Sequence, residues 1–354
     1  MTSGKTDGMT GIERIGTALQ LKEADRVPCA PLTCGACRRV YGVSYDKWAL
    51  RADLQIRSTL DAYKLIGFDG FLTLVDLSVE AADLGQEVKY PIENTAHPNY
   101  DNPLVKTVED YHKIPVVDPT KSPRMSEEIK YAKALADEIG STCAIMAFAY
   151  GPLGVLSMLR GGEKLFFDCI KNKEDVKAAV QILNDTLEPY CRALARTGVP
   201  AIVLDTLFAS QTIMSKKLWW ECEGQYCTRL ADAVRDEGAA VIVHNCGEGI
   251  YFDVQIESMH PVAISHAYVP DDCADMVDAK EKWGSKLCFI GYVNPAVYCY
   301  LGTPEEVKEE SKKEIEELGK GGGFILSTGC EFPPNGSLLN AIAMMEASEL
   351  YGRY

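Results

Sequence analysis

His244 and Cys246 stand two residues apart at the end of the β-rich run 239–243, and Gly247 follows at once. Alternate residues of a strand point to the same side, so both side chains can face one metal ion. Cys330 ends a second such run in the stretch Ser327-Thr328-Gly329-Cys330-Glu331. One imidazole and two thiolates favour Zn2+, and three protein ligands leave a coordination position open, as a catalytic zinc requires. Taken alone, His-x-Cys fits a core histidine beside a buried thiol better than a metal site. The cysteine at a second strand end tips the reading to metal.

Other groups at strand ends could do chemistry beside that metal. Asp76, Asp205 and Glu331 can serve as general acids or orient a ligand, or simply cap a helix or pair with an arginine. Glu80 is similar but in a more helical setting. His266 follows the run 262–265 and can be a fourth ligand, a proton carrier or a histidine held in a polar pocket. Tyr150, Phe208, Tyr251, Tyr268, Tyr292 and Tyr298 fall near strand ends, where they are either rim contacts or plain core and surface aromatics. The expected catalytic groups are Glu331, His266, Asp205 and Tyr292, and the expected substrate contacts are Asp76, Tyr150, Phe208 and Tyr268. His97, His112 and His260 are expected on the surface or in a lid.

These residues need strands to carry them. Apolar runs at 27–32, 70–75, 142–149, 201–207, 240–246, 262–265, 287–292 and 323–328 alternate with helical patterns such as 174–196, 216–237 and 304–318. Such alternation implies a parallel sheet covered by helices, and eight runs match a closed (β/α)8 TIM barrel, whose active sites lie at the C-terminal strand ends. An open doubly wound sheet is the alternative, but no Gly-rich phosphate fingerprint follows the first run. Residues 90–124 lack clean periodicity and read as an excursion or lid after the second strand. One domain over 12–354 is expected, with 1–11 disordered.

Composition excludes several functions. A net charge of −15, from 36 Lys+Arg against 51 Asp+Glu, leaves no broad basic surface, so nucleic acid is not an expected partner. Neither a signal peptide nor an apolar run able to span a bilayer is evident, so a cytoplasmic protein without membrane contact is expected. The thirteen cysteines are odd in number and scattered, which argues against a disulfide framework. Cys143, Cys169, Cys191 and Cys288 read as core residues.

The chain resembles the uroporphyrinogen decarboxylase superfamily, and within it the zinc methyltransferases that work with corrinoid proteins. The resemblance runs from Ala24-Asp25-Arg26-Val27-Pro28 through Val79-Glu80-Ala81, Gly151-Pro152-Leu153 and Leu159-Arg160-Gly161-Gly162-Glu163. It continues in His244-Asn245-Cys246-Gly247, Gly302-Thr303-Pro304-Glu305-Glu306-Val307 and Ser327-Thr328-Gly329-Cys330-Glu331. It implies a (β/α)8 barrel, one Zn2+ on His244, Cys246 and Cys330, and a partner protein that carries the corrinoid (cobalamin). Residues 33–39, Thr-Cys-Gly-Ala-Cys-Arg-Arg, lack the decarboxylase's arginine pattern. Two departures from the methyltransferases, Tyr292 in Gly-Tyr-Val-Asn-Pro and His266-Ala267-Tyr268 after the sixth strand, put the ordinary thiol pocket in doubt.

Two directions of methyl transfer follow. Zinc can polarise the oxygen of a methyl ether, such as a methoxylated aromatic, for attack by cobalt(I); this demethylase reading is favoured by the tyrosines and histidine expected at the rim. Alternatively, zinc activates a thiol of the coenzyme M type, which takes the methyl group from cobalt(III). Uroporphyrinogen decarboxylation and a non-catalytic tetrapyrrole-binding barrel are the lesser readings, and a homo-oligomer is left open.

Overall fold

A computed structural model describes residues 8–354 of the chain. Its main sheet holds seven parallel strands: β1 (Gly70–Leu72), β4 (Ala144–Tyr150), β5 (Ala201–Asp205), β6 (Ala240–Asn245), β7 (Ala263–His266), β8 (Cys288–Val293) and β9 (Phe324–Thr328), neighbours in that order. A short antiparallel pair, β2 (Val88–Lys89) with β3 (His97–Pro98), straddles the start of the excursion expected at 90–124. That excursion also holds a single 3-10 segment, Val108–Lys113, and is otherwise irregular.

The eighth stave expected at 27–32 closes the sheet without becoming a regular strand. Ala30 donates its N–H to Leu326, Leu326 donates to Pro28, and Asp69, just before β1, donates to Cys29. Pro28 and Pro31 have no N–H, so a continuous ladder cannot form there, yet the segment still joins β9 to β1. The result is a TIM-barrel-like α/β fold. At its N-terminal end Asp69 receives Arg14, Arg26 and the Cys29 N–H, tying the closing segment to β1.

The helical expectations hold, with small shifts at their ends. The pattern at 174–196 is the helix Lys173–Ala195, and the pattern at 304–318 is Pro304–Leu318, whose Thr303 and Glu306 satisfy each other's backbone N–H groups in a capping box. The pattern at 216–237 is broken by a π turn, Trp220–Gly224, where Glu223 turns inward. Of the segment expected to be disordered, residues 1–7 lie outside the described residues, while Thr10 caps the helix Gly11–Leu19. Among the described residues no helix is long and apolar enough to cross a membrane.

Candidate metal centre

The three residues picked out by spacing come together at one end of the barrel. Val241, Ile242 and Val243 bury β6 between its neighbours, and strand alternation turns His244 to the same side as Ile242. Asn245 then folds the chain back: its amide donates to the carbonyls of Thr206 and Ala209 and accepts the Gly247 N–H. Position 247 must be glycine, because a Cβ there would lie 2.3 Å from Ser210 Oγ. Cys330 follows β9 across Gly329, where a Cβ would lie 2.8 Å from Ala267 Cα. These two tight turns bring Cys246 and Cys330 to His244, with one ligand atom from each within 4.8 Å of the others.

The electrostatics suit a cation. Burial pushes His244 down, but the Cys330 thiol and Asp205 outweigh it and hold the imidazole above its ordinary pKa. Cys246 and His244 hold the Cys330 thiol well below its usual range, while the same contact with Cys330, together with burial, drives Cys246 up. The low pKa of one thiol and the raised pKa of the imidazole both come from the close approach of the three side chains. His244 Nδ1 sits 3.0 Å from Ser265 Oγ, which leaves Nε2 for a metal and fixes the ring, the arrangement that orients histidine ligands. The donor set and its outer support therefore fit Zn2+.

Two of the expected carboxylates flank the ligands. Asp205 pairs directly with His244 across β5 and β6; burial raises it to about 7, His244 partly offsets this, and Oδ1 has no partner. Glu331 is raised by burial to about 8, with Cys330 and Asp76 adding to it, and its Oε1 is also without a partner. Asp76 is committed elsewhere, in a buried ion pair at 2.8 Å with Arg124 and a bond from the Ser78 N–H. Tyr150 is buried at the end of β4, and both Asp205 and Cys246 bear on its hydroxyl. Phe208, in the turn after β5, packs edge-on against Phe166 at 5.5 Å.

Other expected groups do not join them. Ser265 lines the barrel interior with His244, so the next residue along β7, His266, faces the helices. His266 accordingly stacks on Tyr292 and meets the edges of Phe252 and Phe289; both ring nitrogens lack partners, and burial lowers it to about 3. That placement differs from the barrel mouth expected for it. Tyr292 bonds Glu317 at 2.6 Å and, with Tyr268, lines a groove on the outer side of the barrel. Tyr251 donates to the Met214 carbonyl, and Tyr298 donates to Glu310. Sequence reasoning missed Ser265, whose strand spacing from Ala263 gave the only available sign, and Asn245, which was read only as the spacer between two ligands.

A family profile described as uroporphyrinogen decarboxylase (URO-D) matches residues 10–351. The chain is 24% identical to the methylcobamide:CoM methyltransferase MtbA of Methanosarcina acetivorans over 96% of this chain and 97% of that protein. To the uroporphyrinogen decarboxylase of Hydrogenovibrio crunogenus it is 22% identical, covering 85% and 84%. Among solved structures, a methyltransferase from Methanosarcina mazei superposes with a TM-score of 0.81 at 20% identity, covering 96% of this chain and 98% of that one, and has the same fold.

Proposed function

The chain belongs to the uroporphyrinogen decarboxylase family, and on that footing we propose that it is a zinc-dependent methyltransferase that moves a methyl group from a corrinoid protein to a thiol. The observation that carries the reading is the convergence of His244, Cys246 and Cys330 at the strand ends, where a corrinoid can approach. The MtbA relative, named for methyl transfer from methylcobamide to CoM, supports the thiol direction. So does the position of the aromatic residues. The ether reading drew on a tyrosine-rich rim, and Tyr268 and Tyr292 line the outer groove instead.

Zinc held there would supply Lewis acidity that lowers the pKa of a coordinated thiol. The chain's own groups then do the following. Ser265 keeps His244 in one orientation, and Asn245 and Gly247 hold Cys246 in its turn. Asp205 Oδ1, enclosed beside His244 and with a pKa of about 7, takes the proton that the thiol releases. The sulfur attacks the methyl carbon, a carbon–sulfur bond forms, and the pair from the broken carbon–cobalt bond stays on cobalt, which leaves as cobalt(I). Tyr150, buried beside Asp205 and Cys246, limits water around the attacking sulfur.

The test is methylcob(III)alamin with a panel of thiols and, separately, cob(I)alamin with methoxylated aromatics. Thiol methylation that depends on bound zinc is expected. Methylation of cob(I)alamin by an ether, with no thiol methylated, would reverse the direction.

A further inference from the structure

Glu223 is a buried carboxyl group that the methyl transfer leaves unused. The pattern at 216–237 would run as one helix, but the π turn Trp220–Gly224 interrupts it and turns Glu223 inward, where it is fully enclosed. Such turns are frequent at functional sites. Both carboxyl oxygens of Glu223 are engaged. Oε1 accepts the Leu153 N–H at 2.9 Å, and Oε2 accepts the Trp219 indole N–H at 2.7 Å. Leu153 lies in the first turn of the helix Pro152–Arg160, whose early N–H groups have no partner within the helix, so Glu223 ties that turn down from outside.

The tied turn presses on the metal centre's wall. Gly151 donates its N–H to the Asp205 carbonyl at 2.8 Å, and a Cβ on Gly151 would lie 2.5 Å from that oxygen and 2.8 Å from Glu223 Oε1. A Cβ on Gly154 would lie 2.4 Å from Cε2 and 2.5 Å from Cζ of Tyr150, so the helix start meets the ring beside its hydroxyl. Tyr150 and Asp205 are register partners across β4 and β5. Resting on the methyl-transfer reading above, we infer that Glu223 is a positioning residue: by holding Leu153 and Gly154 it fixes the Tyr150 ring beside Cys246 and Asp205. Its own hydrogen bonds go to Leu153 and Trp219, so its loss leaves the three ligand side chains in place. Misplacing such a group by about 1 Å can cost about 100-fold in rate.

Two readouts test this, one of them independent of methyl transfer. In metal-free protein, alkylation of Cys246 by iodoacetamide is followed by peptide mass spectrometry, with Cys330 as internal reference. Glu223→Ala is expected to speed Cys246 relative to Cys330 by about fivefold and Tyr150→Leu by at least as much, while the double variant matches Tyr150→Leu, because a residue acting through the ring adds nothing once the ring is gone. Zinc-loaded Glu223→Ala is expected to keep one zinc and a thiol KM within about twofold, while kcat falls about tenfold or more. Glu223→Gln sets an amide N–H against either Leu153 or the indole, and adding Trp219→Phe relieves that conflict while keeping an acceptor for Leu153. Glu223→Gln is therefore expected to shift both readouts and the Gln–Phe pair to restore them, which decides the point if Glu223→Ala fails to fold. Unchanged Cys246 alkylation in Glu223→Ala and Glu223→Gln, effects that multiply in the double variant, or no rescue by Trp219→Phe overturns the inference. The expected alkylation order without any methyl transfer would remove the proposed reaction and leave the placement of Tyr150 by Glu223 standing; normal thiol methylation with no change in any variant would do the reverse.

Discussion

His244 Nδ1 and Ser265 Oγ lie 3.0 Å apart, and this contact between neighbouring strands decides which ring nitrogen is left for a metal. Ser265→Ala frees the ring without touching a ligand atom. Metal affinity is expected to fall by about 10- to 100-fold, the usual effect of losing such a partner. Competition with a chelator of known affinity measures it; unchanged affinity would mean that the contact orients nothing.

His244 lies at the mouth end of β6, and Cys246 and Cys330 follow the ends of β6 and β9, so loss of a ligand side chain leaves the strand pairing in place. His244→Ala, Cys246→Ser and Cys330→Ser are each expected to abolish methyl transfer and to bring bound zinc well below one per chain. Elemental analysis and far-UV circular dichroism read the two effects separately. A variant that keeps stoichiometric zinc would remove its residue from the site.

His266 gives the opposite expectation. Its ring lies among Phe252, Phe289 and Tyr292 and is held neutral by burial, so His266→Phe replaces one buried ring with another of similar shape. Zinc content and methyl transfer are expected to stay within about twofold of the parent, about 0.4 kcal/mol. A loss on the scale of His244→Ala would restore His266 to the chemistry.

Much of the site is legible in sequence because strand geometry is periodic. His244 and Cys246 need only the two-residue period to converge, and Gly-Cys-Glu after another apolar run marks the same end of the barrel. The same period misled the reading of His266: its place after 262–265 was visible, but the side it faced was not, because the strand continues one residue further than the apolar run. Tyr268 and Tyr292 failed similarly, since lying near a strand end does not set whether a side chain turns into the mouth or out to the helices. The irregular stave at 27–32 was legible as apolar sequence, and its prolines explain why it closes the barrel without a full ladder.

Buried carboxyls make stability fall with rising pH. Burial raises Glu80 to about 7 from its ordinary 4.5, while its Oε1 still accepts the Tyr150 N–H. The folded state keeps this proton more tightly than the unfolded chain does. The contribution is therefore full below pH 4.5 and is lost as pH rises through 7. Glu80→Gln is expected to stabilise the protein at pH 8 by about 3 kcal/mol and to change little at pH 4, read from denaturant unfolding at both pH values. Equal effects at the two would show that Glu80 is not held protonated.

The central claim is tested most directly by single-turnover methyl transfer from methylcob(III)alamin to 2-mercaptoethanol, comparing protein stripped of metal, the same protein reloaded with one zinc, and Cys330→Ser treated identically. The expected result is cob(I)alamin and methylated thiol in equal amounts, formed only by the reloaded parent. Full activity in the stripped protein, or in Cys330→Ser without zinc, would contradict the account.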